Sequence, residues 1–185
     1  YVMMNVKLEQ AEGDDLTIAN DFREVGIVKD PFNFGTTTVS SASTRRQTYA
    51  VKLAANPSAP YEIDEKITQS TTGAVGRVVE FDSTNNIIYY LQEQYANYGI
   101  ASSGNHVAFS GAFTITGATS GGAAAVSATS SETVTLSGGS TLTFTSGYAN
   151  PELAADSGHI LYVENRRPIS RASDQTEDIK IVVEF

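Results

Sequence analysis

The chain has 185 residues, 41% of them apolar, a formal net charge of −9 and no cysteine. That length makes one domain or two small ones and can bury about 70% of the surface its unfolded form exposes, and eight Phe with nine Tyr supply bulk for a core. The acid excess repels phosphate backbones, which argues against nucleic acid as a partner. The lack of Cys excludes disulfide frameworks, thiolate zinc sites and cysteine nucleophiles, and no apolar run approaches the roughly 20 residues of a membrane-spanning helix.

In chain order, Tyr1–Leu8 (YVMMNVKL) alternates, with Val2, Met4, Val6 and Leu8 on one face, the period of a half-buried strand. A start on Tyr1 inside such a pattern reads as a fragment whose N-terminal part lies beyond it. DFREVGIVKDPF (Asp21–Phe32) reads as a short strand ending at Pro31, and QTYAVKLA (Gln47–Ala54) as another alternating strand. Pro57 and Pro60 mark a boundary. Between Glu93 and Glu152 the only charged residue besides His106 is Glu132. This Gly, Ala, Ser and Thr-rich stretch has the composition of a flexible linker, but the β-formers in FTIT, VTL and TLTFT predict short strands with tight turns. LQEQYANYG (Leu91–Gly99) is ambiguous. Gly147 to Pro151 marks a second boundary. NPELAADSG (Asn150–Gly158) combines an N-cap Asn, Pro at the first helical position and Gly past the end, which predicts one or two helical turns. HILYVEN (His159–Asn165) and DIKIVVEF (Asp178–Phe185) alternate again.

One dodecamer occurs twice. ITQSTTGAVGRV (Ile67–Val78) and ITGATSGGAAAV (Ile115–Val126) match without a gap. Each reads as strand, turn, strand, with Gly supplying a positive φ that Thr and Val resist. Ala74, Gly76, Ala123 and Ala124 are small enough to admit a neighbouring backbone. Two such hairpins, with Asn85–Gln92 and His106–Gly111 beside them, can close a small barrel or sandwich. The chain thus reads as mainly β: an outer antiparallel β domain built from both chain ends (1–58 and 148–185), with a small β-barrel or sandwich module inserted at 61–147. The glycine turns lack the helix N-terminus and Lys of a phosphate cradle.

The motifs of hydrolases, zinc proteases and nucleotide-binding loops are absent. Asp156, Ser157 and His159 are close in sequence, but triad members converge from separate elements. Asp14–Asp15 and the acids of Thr176–Lys180 are weak candidates for paired carboxyl chemistry. FDSTNN (Phe81–Asn86) is the nearest approach to a calcium loop and fits a plain turn better. Tyr89, Tyr90, Tyr95 and Tyr98 can stack sugars, although aromatic β surfaces more often form core or protein interface. No catalytic, cofactor or metal site is expected. The tail after His159 is more informative. Arg166, Arg167 and Arg171 precede Asp174, Glu177 and Asp178. One account is a solvated connection. The other pairs arginine forks with carboxylates and stiffens a protruding docking loop. Asp174 and Glu177 have capping-box spacing, which predicts one helical turn.

Three stretches carry a resemblance: the tail YVENRRPISRASDQTEDIKIVVEF, the opening YVMMNVKLEQAEGDDL with DFREVGIVKDPF, and the middle EKITQSTTGAVGRVVEFDSTNNIIYYLQEQ. Together they resemble the C-terminal part of the baseplate wedge subunit of T-even-like contractile-tailed bacteriophages, in the larger form found in phages of cyanobacteria and other marine bacteria. The tail and FREVGIVKDP are the most specific parts, and the Gly/Ser/Thr-rich middle is the least. The resemblance implies a non-enzymatic β protein of the virion tail baseplate, assembled in the host cytoplasm. Its implied partners are a homodimer mate and other baseplate wedge proteins, with no cofactor, nucleic acid or membrane. The family's N-terminal portion has no counterpart here. The alternative from another class is a carbohydrate-binding β module of a tail fibre or secreted glycan-binding protein.

Overall fold

Alternating β-branched and aromatic residues give twelve strands and, among the described residues, no helix. The computed structural model describes residues 2–8, 22–41, 46–92, 99, 106–154 and 157–166. Contacts divide the chain into two units, residues 1–29 with 158–185, and residues 30–157. The smaller unit is a sheet of three strands, β1 (Val2–Leu8), β2 (Phe22–Lys29) and β12 (His159–Arg166), in the order β1-β2-β12. All pairs are antiparallel, and a bulge between Ile160 and Tyr162 shifts the β12 register. Both ends of the chain therefore contribute to one sheet.

The larger unit holds β3 (Tyr49–Lys52), β4 (Lys66–Gln69), β5 (Val75–Asp82), β6 (Ile87–Leu91), β7 (Thr114–Gly117), β8 (Ala123–Ala125), β9 (Ser131–Thr135), β10 (Thr141–Thr145) and β11 (Tyr148–Ala149). They form one sheet in the order β8-β7-β4-β5-β6-β3-β11-β10-β9. By pairing, β3 and β11 belong to this unit, so the units part at Lys29/Asp30 and at Ser157/Gly158.

The repeated dodecamer builds one end of this sheet, β8-β7-β4-β5. In the first copy Ile67 faces Gly76 and Thr68 faces Val75; in the second Ile115 faces Ala124 and Thr116 faces Ala123. Corresponding residues thus pair in the same register. The two hairpins also meet through their first strands, with Thr68 opposite its own equivalent, Thr116, Ile67 opposite Gly117 and Gln69 opposite Ile115. The copies are therefore related by a local two-fold axis at the Thr68–Thr116 pair. Gly73 and Gly121, equivalent turn positions, have φ of +71° and +66°. Thr71 also adopts φ 70°, against the expectation that Thr avoids this region. Neighbouring bonds from Thr72 N–H to Ser70 C=O and from Gly73 N–H to Gln69 C=O hold its turn. At Gly76 an added Cβ would lie 2.9 Å from Tyr90 Cδ2 and 3.0 Å from the Leu91 carbonyl oxygen, so the small residue does admit a backbone.

The sheet curls until its end strand β8 meets β3. A bulge between Val78 and Glu80 bends β5. Leu53, just past β3, bridges Val126, just past β8. Ser127 N–H donates to the Lys52 carbonyl at 2.9 Å, and Ala54 N–H to the Ala125 carbonyl at 2.9 Å. Strands β3, β6, β5, β4, β7 and β8 thereby close a small barrel. It is filled by Val51, Leu53, Tyr61, Ile67, Val78, Ile88, Tyr90, Phe109, Ile115 and Val126. Tyr90 packs between Tyr49 and Phe109, at ring-centroid distances of 5.6 and 4.6 Å. A second cluster of Ala50, Ile87, Leu142, Phe144 and Ala149 fastens the β9–β10 hairpin to the other face of β3 and β6.

The helical turn expected at Asn150–Gly158 is absent from its described parts, residues 150–154 and 157–158. Its backbone is spent on sheet-like contacts instead. Glu152 N–H donates to the Arg46 carbonyl at 2.7 Å, and Leu153 bridges Asn33. Arg46 N–H returns a bond to the Glu152 carboxylate at 2.9 Å.

Gly117 is a tight small-residue site of the second copy. A Cβ there would stand 2.6 Å from both Glu65 carboxylate oxygens and from Ser120 Oγ. Gly117→Ala is expected to destabilise the unit by about 1–3 kcal/mol, read as a lower midpoint in urea unfolding with unchanged slope.

Candidate functional site

The buried polar side chains of the larger unit are turned onto the fold. Glu65 is 4% exposed. Its Oε1 accepts from Glu62 N–H at 2.7 Å and Ser120 O–H at 2.8 Å, and its Oε2 from Thr119 N–H at 2.9 Å and Ser120 N–H at 3.0 Å. Burial alone would raise this carboxyl's pKa, but the bonds to its ionised form outweigh burial and hold it below the usual glutamate value. Gln69 is fully buried. Its amide nitrogen donates to Tyr148 Oη at 2.7 Å, and its oxygen accepts from Thr72 Oγ1 at 2.8 Å and Ser110 N–H at 2.9 Å. Tyr61 donates to the Ile115 carbonyl at 2.8 Å, and burial pushes its pKa up to about 12. These residues lock one dodecamer's turn to the next element. Sequence reasoning missed Glu65 and Gln69, which look like ordinary strand-end polar residues in EKITQ.

The sequence candidates for chemistry fall apart on geometry. Ser157 Oγ donates to the Ala154 carbonyl at 2.7 Å and accepts from Phe32 N–H at 2.9 Å, so it closes a loop. His159 opens β12 in the smaller unit, and Asp156 lies outside the described residues. Asp82 folds its carboxylate onto its own turn: Oδ1 accepts from Thr84 N–H and Asn85 N–H, both at 3.0 Å, and Oδ2 from Asn85 Nδ2 at 2.7 Å. FDSTNN is thus a hairpin turn. Among the described residues no cluster of three or more His, Asp or Glu is placed to hold a metal. Asp14, Asp15 and Thr176–Lys180 lie outside the described residues. Of the tyrosines considered for sugar stacking, Tyr90 is 3% exposed inside the barrel. Tyr89 packs against the second core cluster, and Tyr95 and Tyr98 lie outside the described residues.

Arg166 ends β12 opposite Arg23. Arg167, Arg171, Asp174 and Glu177, with the helical turn expected at Asp174–Glu177, lie outside the described residues. The surface features that remain are apolar residues such as Phe34, Val39 and Ile63 on the larger unit and Ile160 and Leu161 on β12, together with the sheet's outer strand β9.

Among the described residues the chain is built of strands, and its buried polar side chains hold turns. A family model described as Phage-Gp8, bacteriophage T4 Gp8, matches residues 133–185. Gp8 is a baseplate wedge protein, and the match supports a baseplate wedge subunit at the level of the family. It takes in Thr133–Thr135 of β9, all of β10, β11 and β12, and the terminal segment with Arg166, Arg167, Arg171, Asp174 and Glu177. No curated protein and no solved structure matches the chain.

Proposed function

We propose that this chain is a structural protein of a phage tail baseplate, which builds the wedge by dimerising and by docking to other wedge proteins. The observation that carries the proposal is the Gp8 match over residues 133–185. The β architecture serves assembly in this reading, and the protein has no catalytic role. In this reading the protein resides in the virion tail baseplate after assembly in the host cytoplasm, and its partners are other baseplate proteins and a second copy of itself. The segment carrying Arg166, Arg167 and Arg171 with Asp174 and Glu177 docks a neighbouring subunit through arginine–carboxylate pairs.

Co-expression with the other wedge proteins of the same phage tests this reading: a complex should copurify through size exclusion, and its absence counts against the proposal. Charge reversal at Arg166 and Arg167 to Glu should prevent that complex. The melting curve of the isolated chain should stay within about 1 kcal/mol of the parent, as expected of charges that act in docking and not in the fold. If the reversed variant still assembles, the segment is ordinary surface.

A further inference from the structure

We propose that β9 is a self-pairing edge, through which two copies of this chain join antiparallel about a two-fold axis at Thr133. The inference assigns a surface to the dimerisation proposed above and rests on that reading. β9 (SETVT) ends the nine-strand order and, among the described residues, pairs on one side only, with β10.

The hairpin's own bonds determine which backbone groups are left over. Ser146 N–H donates to the Ser130 carbonyl at 3.1 Å, and Leu136 N–H to the Ser140 carbonyl at 2.8 Å. Hydrogen-bonding residues alternate along an antiparallel pair. Positions 130, 132, 134 and 136 therefore bond toward β10, and the N–H and C=O groups of Ser131, Thr133 and Thr135 point to the open edge. A two-fold axis at Thr133 sets Thr133 against Thr133 and Ser131 against Thr135. Every outward group then meets an outward group, and six inter-chain hydrogen bonds form.

Other two-fold registers fit less well. Centred on Glu132, the pairing would set two carboxylates opposite one another, which is unfavourable. Centred on Val134, it would push Ser131 past the end of the strand. Centred on Thr133, it sets Glu132 across from Val134. Three devices that protect edges are missing, since β9 contains no Lys and no Pro and its pairing with β10 has no bulge; its one charge, Glu132, is half-buried and accepts from Ser127 Oγ at 3.4 Å. Its exposed face is a row of hydroxyls, Ser131, Thr133 and Thr135. That row runs beside Thr145, Thr143 and Thr141 of β10, with Thr133 Oγ1 3.0 Å from Thr143 Oγ1. Pairing would continue these rows across four strands without steric change.

Light scattering after size exclusion, together with cysteine crosslinking, tests the edge. Thr133→Pro removes an N–H that points only outward, so the β9–β10 bonds survive. Both central inter-chain bonds are lost, and the dimer's Kd should rise about 10–100-fold. The chain has no cysteine of its own. Thr133→Cys meets its own copy at a Cα separation of about 5.5 Å, within disulfide range, and should crosslink on oxidation. Ser131→Cys alone faces Thr135 and should not crosslink, whereas the double variant Ser131→Cys/Thr135→Cys should. A parent dimer whose Kd is unchanged by Thr133→Pro, or in which Thr133→Cys crosslinks no better than Ser131→Cys, overturns the β9 assignment and leaves dimerisation standing. A parent that stays monomeric at about 100 μM overturns both. Should Thr133→Pro lower the melting temperature, the cysteine comparison decides.

Discussion

Glu65→Ala is expected to destabilise the larger unit by about 3–5 kcal/mol and to lower its melting temperature by about 10 °C. The carboxylate accepts from Glu62 N–H, Thr119 N–H and both groups of Ser120. Alanine leaves these donors facing a buried space that Glu65 filled. The same bonds give the effect a pH signature. Glu65 has its pKa lowered on folding, so its contribution is complete above the ordinary glutamate range and is lost as the pH falls through and below it. The parent should therefore lose more stability between neutral and acid pH than the alanine variant does. Asp82, also lowered through bonds within its turn, adds an acid-sensitive contribution common to both. Equal acid sensitivity of parent and variant, measured by urea unfolding at several pH values, would remove Glu65 from this role.

Phe144→Ala is expected to cost about 3–5 kcal/mol, concentrated in the β9–β10 hairpin. Phe144 is fully buried, and with Leu142 it is the hairpin's hold on Ala50 and Ile87. The barrel core is a separate cluster on the opposite face of β3 and β6. Amide exchange should therefore quicken along β9 and β10 while β4, β5 and β7 keep their protection. Uniform loss of protection across both clusters would show that hairpin and barrel open as one.

Period-two patterning located β1, β3 and β12 within a few residues, and the repeated dodecamer announced two hairpins. Both are local signals, which is why one sequence sufficed to read them. The barrel's closure was legible only as a possibility, because the Leu53–Val126 bridge joins distant residues by backbone bonds that carry no side-chain signature. The Asn150–Gly158 stretch misled for the converse reason. Its capping residues satisfy a helix locally, but Arg46 and Asn33 compete for the same backbone groups and win. Glu65 and Gln69 were invisible as clamps, since their partners come from turns elsewhere in the chain. The arginine segment after Arg166 was read from charge spacing alone and continues as the proposal made above.

The same Leu53–Val126 bridge bears on how the barrel assembles in time. Each dodecamer joins near neighbours in sequence, so its hairpin can form in about 1–10 μs. The bridge ties together two points separated by most of the larger unit. Loop-closure entropy grows with the length enclosed and is spent before the distant contact returns anything. The seam of the ring is therefore expected to close after either hairpin has formed.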